Sequence, residues 1–219
     1  MLRKKALALC MATLLLLGTG TAFGQCSWST KVVHTQTTSN QPALAAYTVS
    51  GTTKKIFLAY VGTDSNRTLN VMESTNGTSW GSQTVLTGWQ SSSGVALGGA
   101  PPNFSGCGYL IIAIAQGANE PIYAQTINEY GTYSSIFEVG GSSSYSGYGI
   151  TGAIAGTNSY LAWRGGSGNI NLWSSSTGTK ACSDTSNSAP AITSFNGALY
   201  VAWRSSSNNT INVASIPPF

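Results

Sequence analysis

The chain has 219 residues, of which 42% are hydrophobic and only 7% are charged. Its formal net charge is +4, but three of its ten basic residues, Arg3, Lys4 and Lys5, lie in the first five positions. Without these three, seven basic residues stand against six acidic ones. This near-neutral balance argues against a nucleic acid or an anionic membrane as partner, because both require a basic patch.

Residues 1–24 have the pattern of a secretory signal peptide. Three basic residues precede an apolar run from Ala6 to Leu17, and small residues lead to Gly24. The run is shorter than the roughly 18 apolar residues that a membrane span needs. We therefore expect cleavage near Gly24 and a product that is secreted or periplasmic, with no membrane span.

Three cysteines, Cys26, Cys107 and Cys182, remain after residue 24. An exported protein can form disulfides, so one internal bridge is possible, and the pairing is left open. The wide spacing lacks the paired C-x-x-C pattern of a zinc site. We predict no cofactor and no metal, although a calcium site built from backbone carbonyls is left open.

A repeated pattern runs through the chain in order. An apolar strand ends in Ala plus a large residue, a short polar loop follows, and a second apolar strand comes next. The aligned alanines are Ala59, Ala113, Ala162 and Ala202, at spacings of 54, 49 and 40 residues. A run of small and apolar residues precedes each copy, and a further strand follows three of them. About four short strands per repeat is the unit of a β-propeller blade.

The pattern predicts one domain over residues 25–219. Its four blades are expected at about 41–88, 94–140, 149–183 and 189–219 plus 26–35. The last blade takes its outer strand from the N-terminus because Trp28–Thr35, "WSTKVVHT", aligns without a gap on Trp80–Thr87, "WGSQTVLT". The predicted fold is an all-β, four-bladed β-propeller closed by pairing of the N-terminal strand with the C-terminal blade. Two chains joined in an eight-bladed ring are the alternative, so the chain is expected to be a monomer or a dimer.

The repeats resemble those of secreted propeller proteins of the sialidase-like and propeller-lectin type. The stretches "APAITSFNGALYVAWRSSSNNTINVAS" and "VMESTNGTSWGSQ" carry this resemblance. In the second stretch, Ser74, Asn76, Gly77 and Trp80 look like a degenerate Asp-box, with Asn in place of the usual Asp. In that family the motif forms a turn away from the active site. The resemblance therefore implies a fold and no chemistry.

Catalysis is not expected. The arginines Arg67, Arg164 and Arg204 could clamp a carboxylate, as in sialidases. Sialidases also need a tyrosine activated by a glutamate and an acidic general acid, and none of the six acidic residues after residue 24 lies in a recognisable family motif. The only histidine, His34, is expected to pack in the fold, and no G-x-S-x-G elbow accompanies it. A divergent glycoside hydrolase is left open as an alternative.

Carbohydrate binding is the function that the sequence favours. In a propeller, the loops between strands two and three and the loops between blades lie on one face. Those loops are rich in Ser, Asn and Arg beside aromatic residues, the mixture that binds sugar hydroxyls and stacks on sugar rings. The predicted glycan contacts are Arg164, Arg204, Asn169, Asn208, Trp89, Tyr145 and Tyr148. Trp163 and Trp203 are expected to pack between blades, and a protein-interaction module of the cell envelope is a further alternative.

Overall fold

A computed structural model describes residues 34–49, 53–99, 110–115, 121–128, 132–139, 148–156 and 158–216. The predicted signal peptide, Cys26, Cys107 and Tyr145 lie outside these residues. In the described part of the chain every regular element is a β-strand, and all neighbouring strands pair antiparallel. No helix there is long and apolar enough to cross a membrane.

Sheets 1 and 2 each contain four strands in chain order. Sheet 1 consists of β1 (Ala43–Val49), β2 (Thr53–Val61), β3 (Thr68–Ser74) and β4 (Thr84–Gln90). Sheet 2 consists of β5 (Val95–Gly99), β6 (Leu110–Ala115), β7 (Ile122–Ile127) and β8 (Phe137–Val139). The first strand of each sheet is the inner strand, and its partner is the strand that follows it along the chain.

Sheets 3 and 4 repeat this order, but sheet 4 has only three described strands. Sheet 3 consists of β9 (Ile150–Ala155), β10 (Asn158–Arg164), β11 (Asn169–Ser174) and β12 (Gly178–Thr185). Sheet 4 consists of β13 (Ala191–Phe195), β14 (Ala198–Arg204) and β15 (Ile211–Ile216). Asn196 and Gly197 form the tight turn between β13 and β14, and both have positive φ, as this hairpin signal predicts.

Over the residues that the structure describes, the prediction of an all-β fold made of four repeated sheets is confirmed. The N-terminal strand proposed to complete sheet 4, residues 28–35, lies outside the described residues except for its last two. Of these, His34 packs edge-on against Trp80, with ring centroids 5.2 Å apart, in line with the packing role expected of it. Pairing of the N-terminal strand with β15, and closure of a four-bladed ring, stay predictions.

The sheets pack face to face in chain order. Phe57 and Ala59 of sheet 1 are buried against Val95 and Ile112 of sheet 2. Leu161, Trp163 and Trp173 of sheet 3 are buried with Ile122 of sheet 2, and Val201 of sheet 4 is buried with Ile170 and Leu172 of sheet 3. The inner strands also contact one another in sequence, β1 with β5, β5 with β9 and β9 with β13. This stacking places the loops that precede the inner strands around one shared cavity.

Glycines permit the close approach of the inner strands. A Cβ atom at Gly98 on β5 would lie 2.7 Å from the backbone nitrogen of Ala153 on β9 and 2.9 Å from the carbonyl carbon of Gly152. Real side chains do not approach backbone atoms this closely. Gly98 is therefore needed because there is no room for a side chain at this position, and not because its backbone angle is unusual.

Gly98→Ala is expected to lower the free energy of unfolding by about 1–3 kcal/mol, because the added methyl group forces β5 and β9 apart. Urea denaturation followed by circular dichroism measures this change. Gly81→Ala is the matched control, since its Cβ would meet only the Glu73 carbonyl at 3.5 Å. Equal effects of the two substitutions would contradict the backbone packing described here.

The segment from Ser74 to Trp80 forms the turn between β3 and β4. The backbone N–H of Gly77 donates to Ser74 Oγ at 2.9 Å, and Ser74 Oγ donates to the carbonyl of Ser79 at 2.6 Å. Asn76 Oδ1 accepts hydrogen bonds from the backbone N–H groups of Thr78 and Ser79. The polar side chains of this segment therefore form hydrogen bonds within the turn. The resemblance of the turn to an Asp-box stays a prediction.

Candidate functional site

Arg164 and Tyr148 lie against each other on the face formed by the loops between sheets. Arg164 ends β10, and Tyr148 lies two residues before β9. The guanidinium carbon of Arg164 is 4.1 Å from the centroid of the Tyr148 ring, a cation–π contact. Arg164 Nε also donates to the backbone carbonyl of Ser186 at 2.5 Å. These two contacts hold the cation in place, while the tyrosine side chain remains 55% exposed.

A cavity of about 670 Å³ opens beside Tyr148. Residues that precede or begin the inner strands of all four sheets line it, because the connections between sheets meet on this side. Asn40, Gln41, Ser92 and Ser93 contribute polar groups, and apolar residues such as Val95 and Ile150 contribute the rest. Its size lies within the range of small-molecule sites, roughly 300–1,000 Å³. No charged residue lines it in the described part of the chain.

Two Ser-x-Ser turns, which were not predicted from the sequence, shape this face. Ser91 and Ser186 are buried, and each accepts a hydrogen bond from the backbone N–H two residues later. Arg67 Nη1 donates to the Ser92 carbonyl at 3.4 Å, much as Arg164 donates to the Ser186 carbonyl. The signal in the sequence is a serine repeated at i and i+2 before an inner strand.

Arg204 and the two predicted asparagines form hydrogen bonds within their own sheets and loops. Asn209 Oδ1 accepts from Arg204 Nε and Nη2 at 3.1 and 2.7 Å. Asn208 Oδ1 accepts from the backbone N–H and the hydroxyl of Thr210. Asn169 donates to the Cys182 carbonyl at 3.2 Å and accepts from Ser167. None of these hydrogen bonds joins the three side chains to the Tyr148–Arg164 pair.

Trp89 requires a correction. Its indole is buried in the core between sheets 1 and 2, beside Tyr47, Leu69 and Leu97, and offers no ring face to a ligand. Tyr145 lies outside the described residues. Of the six predicted contacts that the structure describes, Tyr148 and Arg164 are the two that lie against each other.

A second, smaller pocket of about 440 Å³ lies at the outer face of sheet 1. Asn70 donates to the Thr68 carbonyl at 2.8 Å, and Gln83 donates to Asn70 Oδ1 at 2.7 Å. Tyr60 also lines this pocket, and its buried hydroxyl has no hydrogen-bond partner. Burial raises the pKa of this phenol.

The described acidic residues have structural partners or lie apart from the larger cavity. Glu73 forms an ion pair with Lys55 at 2.5 Å and accepts from the Tyr47 hydroxyl at 3.1 Å. Asp64 lines the smaller pocket, where hydrogen bonds from the Thr68 side chain and backbone N–H hold its pKa below the usual value. Glu138 and Asp184 do not line the larger cavity. Among the described residues, no group of three His, Cys, Asp or Glu side chains is placed to hold a metal ion.

Cys182 is a free, half-buried cysteine. Burial, and to a lesser degree the charge of Asp184, raise the pKa of its thiol. A raised pKa keeps the thiol protonated and makes it a poor nucleophile at neutral pH. Its role in the described structure is packing against the apolar residues between sheets 3 and 4.

No protein-family model matches the chain, and no curated protein matches it. Among solved structures, it is similar to a point mutant of the Aleuria aurantia lectin in complex with Fucα1-6GlcNAc, with a TM-score of 0.57 and 14% identity. The match covers 81% of this chain and 62% of the lectin chain, so this chain spans about three fifths of that protein. A second structure of the lectin, in complex with α-methyl-L-fucoside, matches with a TM-score of 0.49, 14% identity and coverage of 80% and 78%, which is too weak to carry an argument. At this identity the likeness shows the fold alone, that of a β-propeller.

Proposed function

We propose that this chain is an exported, lectin-like protein that binds carbohydrate without catalysing a reaction. The observation that carries the proposal is the exposed ring of Tyr148, which lines the larger cavity and is held against the guanidinium group of Arg164. An aromatic face stacks on the apolar side of a sugar ring, and nearby polar groups bond its hydroxyls.

The chemistry of the site favours a neutral sugar or an anionic one. Guanidinium N–H groups are donors only, so Arg164 suits sugar hydroxyls, ring oxygens or a carboxylate. The serine hydroxyls and side-chain amides lining the cavity can both donate and accept. No lining carboxylate is present to attract a cationic ligand among the described residues. The likeness to the fold of a solved lectin supports the same class of ligand.

Two observations support a role without catalysis. Most glycosidases use two carboxyl groups flanking the bond that is cleaved, about 5–9.5 Å apart. None of the four described acidic residues lines the larger cavity, and Glu73 is held in an ion pair. Export is proposed from the predicted signal peptide, and the expected partner is a glycan or polysaccharide.

A glycan array tests the proposal. We expect the protein to bind at least one glycan, Tyr148→Ala to abolish the signal, and Tyr148→Phe to retain most of it, because stacking needs the ring rather than the hydroxyl. Circular dichroism spectra check that the exposed substitutions leave the fold intact. Absence of binding to every glycan at high protein density would refute the lectin function, and hydrolysis of an arrayed glycan would refute the absence of catalysis.

A further inference from the structure

Sheets 1 and 4 are the first and last of the four sheets, and each has one face that no neighbouring sheet covers in the described structure. We call this the outer face, and on both sheets it exposes large apolar side chains. On sheet 4, Ile211 is 82% exposed and Val213 is 66% exposed. On sheet 1, Leu44, which also lines the larger cavity, is 63% exposed, and Val85 is also exposed. Patches of this kind on a soluble protein mark surfaces that bind a partner.

The register of the repeat shows what the exposed face of sheet 4 corresponds to. On sheet 4, Arg204 pairs with Ile211 and Ala202 pairs with Val213. On sheet 3, the equivalent residues Arg164 and Ala162 pair with Ile170 and Leu172. Ile211 is thus the equivalent of Ile170, and Val213 that of Leu172. Ile170 and Leu172 are only 2% and 4% exposed because sheet 4 covers them. The outer face of sheet 4 therefore repeats a surface that is buried one sheet earlier.

The outer face of sheet 1 repeats the surface that does this covering. Leu44 pairs with Leu58 on sheet 1 just as Ile192 pairs with Val201 on sheet 4. Val201 and the partly buried Ile192 are among the residues of sheet 4 that pack on Ile170 and Leu172. Leu44 and Leu58 are thus equivalent to the sheet 4 side of the interface between sheets 3 and 4. Ile211 and Val213 are equivalent to the sheet 3 side of the same interface.

We propose that the outer face of sheet 4 binds the outer face of sheet 1 of a second copy, head to tail, as sheet 3 binds sheet 4 within one chain. One kind of contact then covers both apolar faces and allows a ring to close. The occupant is a second copy because its sheet 1 carries the equivalents of the residues that pack on sheet 3.

Disulfide cross-linking tests the contact. Leu44→Cys and Val213→Cys are made separately, with all four native cysteines replaced by serine, and are oxidised alone and mixed. Leu172 and Ile192 share one cluster, so their equivalents Val213 and Leu44 are expected to meet. The expected result is a disulfide-linked dimer in the mixture and none with either variant alone.

The remaining outcomes of this experiment each refute the proposal. In a third sample, a double variant that carries both Leu44→Cys and Val213→Cys, a disulfide formed only within one chain would show that the chain closes on itself. Dimers formed by Val213→Cys alone would indicate a symmetric contact instead. No cross-link in any sample would show that the two faces do not meet.

Solution mass provides the second measurement. We expect the wild-type chain to sediment as an oligomer and Ile211→Asp to raise its dissociation constant at least about tenfold. Ile136→Asp is the control because Ile136 is another exposed apolar residue, just before β8 in sheet 2, away from the terminal faces. A wild-type chain that is monomeric at all concentrations, or equal effects of the two variants, would overturn the proposal. This readout is independent of sugar binding.

Discussion

Trp163→Ala is expected to lower the free energy of unfolding by about 3–5 kcal/mol, the largest stability effect predicted for this chain. Trp163 is fully buried between sheets 2 and 3, in a cluster with Leu161 and Ile122. Phe137 and Trp173 stack in the same cluster, with ring centroids 5.5 Å apart. Removing the indole leaves a cavity that neighbouring strands cannot fill, because both sheets are held by their own backbone hydrogen bonds. Urea denaturation at equilibrium measures the change.

Trp203→Ala is the matched control for this prediction. Trp203 has the same place in sheet 4, since it pairs with Asn212 as Trp163 pairs with Asn171. It is only partly buried, so its loss is expected to cost roughly 1–2 kcal/mol. If the two substitutions destabilised the chain equally, burial between sheets 2 and 3 would not explain the role of Trp163.

Arg164→Ala is expected to weaken glycan binding about 10-fold to 100-fold, as loss of a charged hydrogen-bond donor does in a ligand site. The substitution also frees Tyr148 from the cation–π contact that fixes its ring. Arg164→Lys is expected to restore little affinity, because an ammonium group cannot both reach the Ser186 carbonyl and lie flat on the ring. Isothermal titration with the glycan that binds best on the array measures these effects.

Arg204→Ala serves as the control for the arginine. Both arginines follow an Ala-Trp pair in the sequence, but Arg204 is held by Asn209 in its own loop. We expect its loss to change the Kd by less than about twofold. A loss of affinity equal to that of Arg164→Ala would place the sugar at the loop of sheet 4 instead.

Much of the fold was predictable because each sheet repeats one local pattern. Alternating apolar residues and the positive-φ turn at Asn196 and Gly197 indicate strands and a hairpin without reference to the rest of the chain. The contacts between sheets were harder to predict. Ile170 and Ile211 have the same residue type and the same register, yet one is buried and the other exposed, because only the first has a neighbouring sheet in the described structure.

The candidate site was predictable only in part, because exposure depends on strand register. If side chains alternated regularly along β4, Trp89 would lie on the same face as the exposed Val85, which is the outer face of sheet 1. An irregularity in the pairing of β3 and β4, with Gly88 at a φ of 84°, turns Trp89 into the core instead. Asn208 and Asn209 illustrate a second limit, because short polar side chains in loops bond locally before they can serve a ligand.

The most direct test of the carbohydrate site is a crystal structure of the chain soaked with the glycan that binds best on the array. We predict a sugar ring stacked on the free face of Tyr148, with a hydroxyl or ring oxygen within hydrogen-bond distance of Arg164. Sugar density only in the pocket of Tyr60 and Gln83, or at no site despite binding in solution, would contradict this assignment.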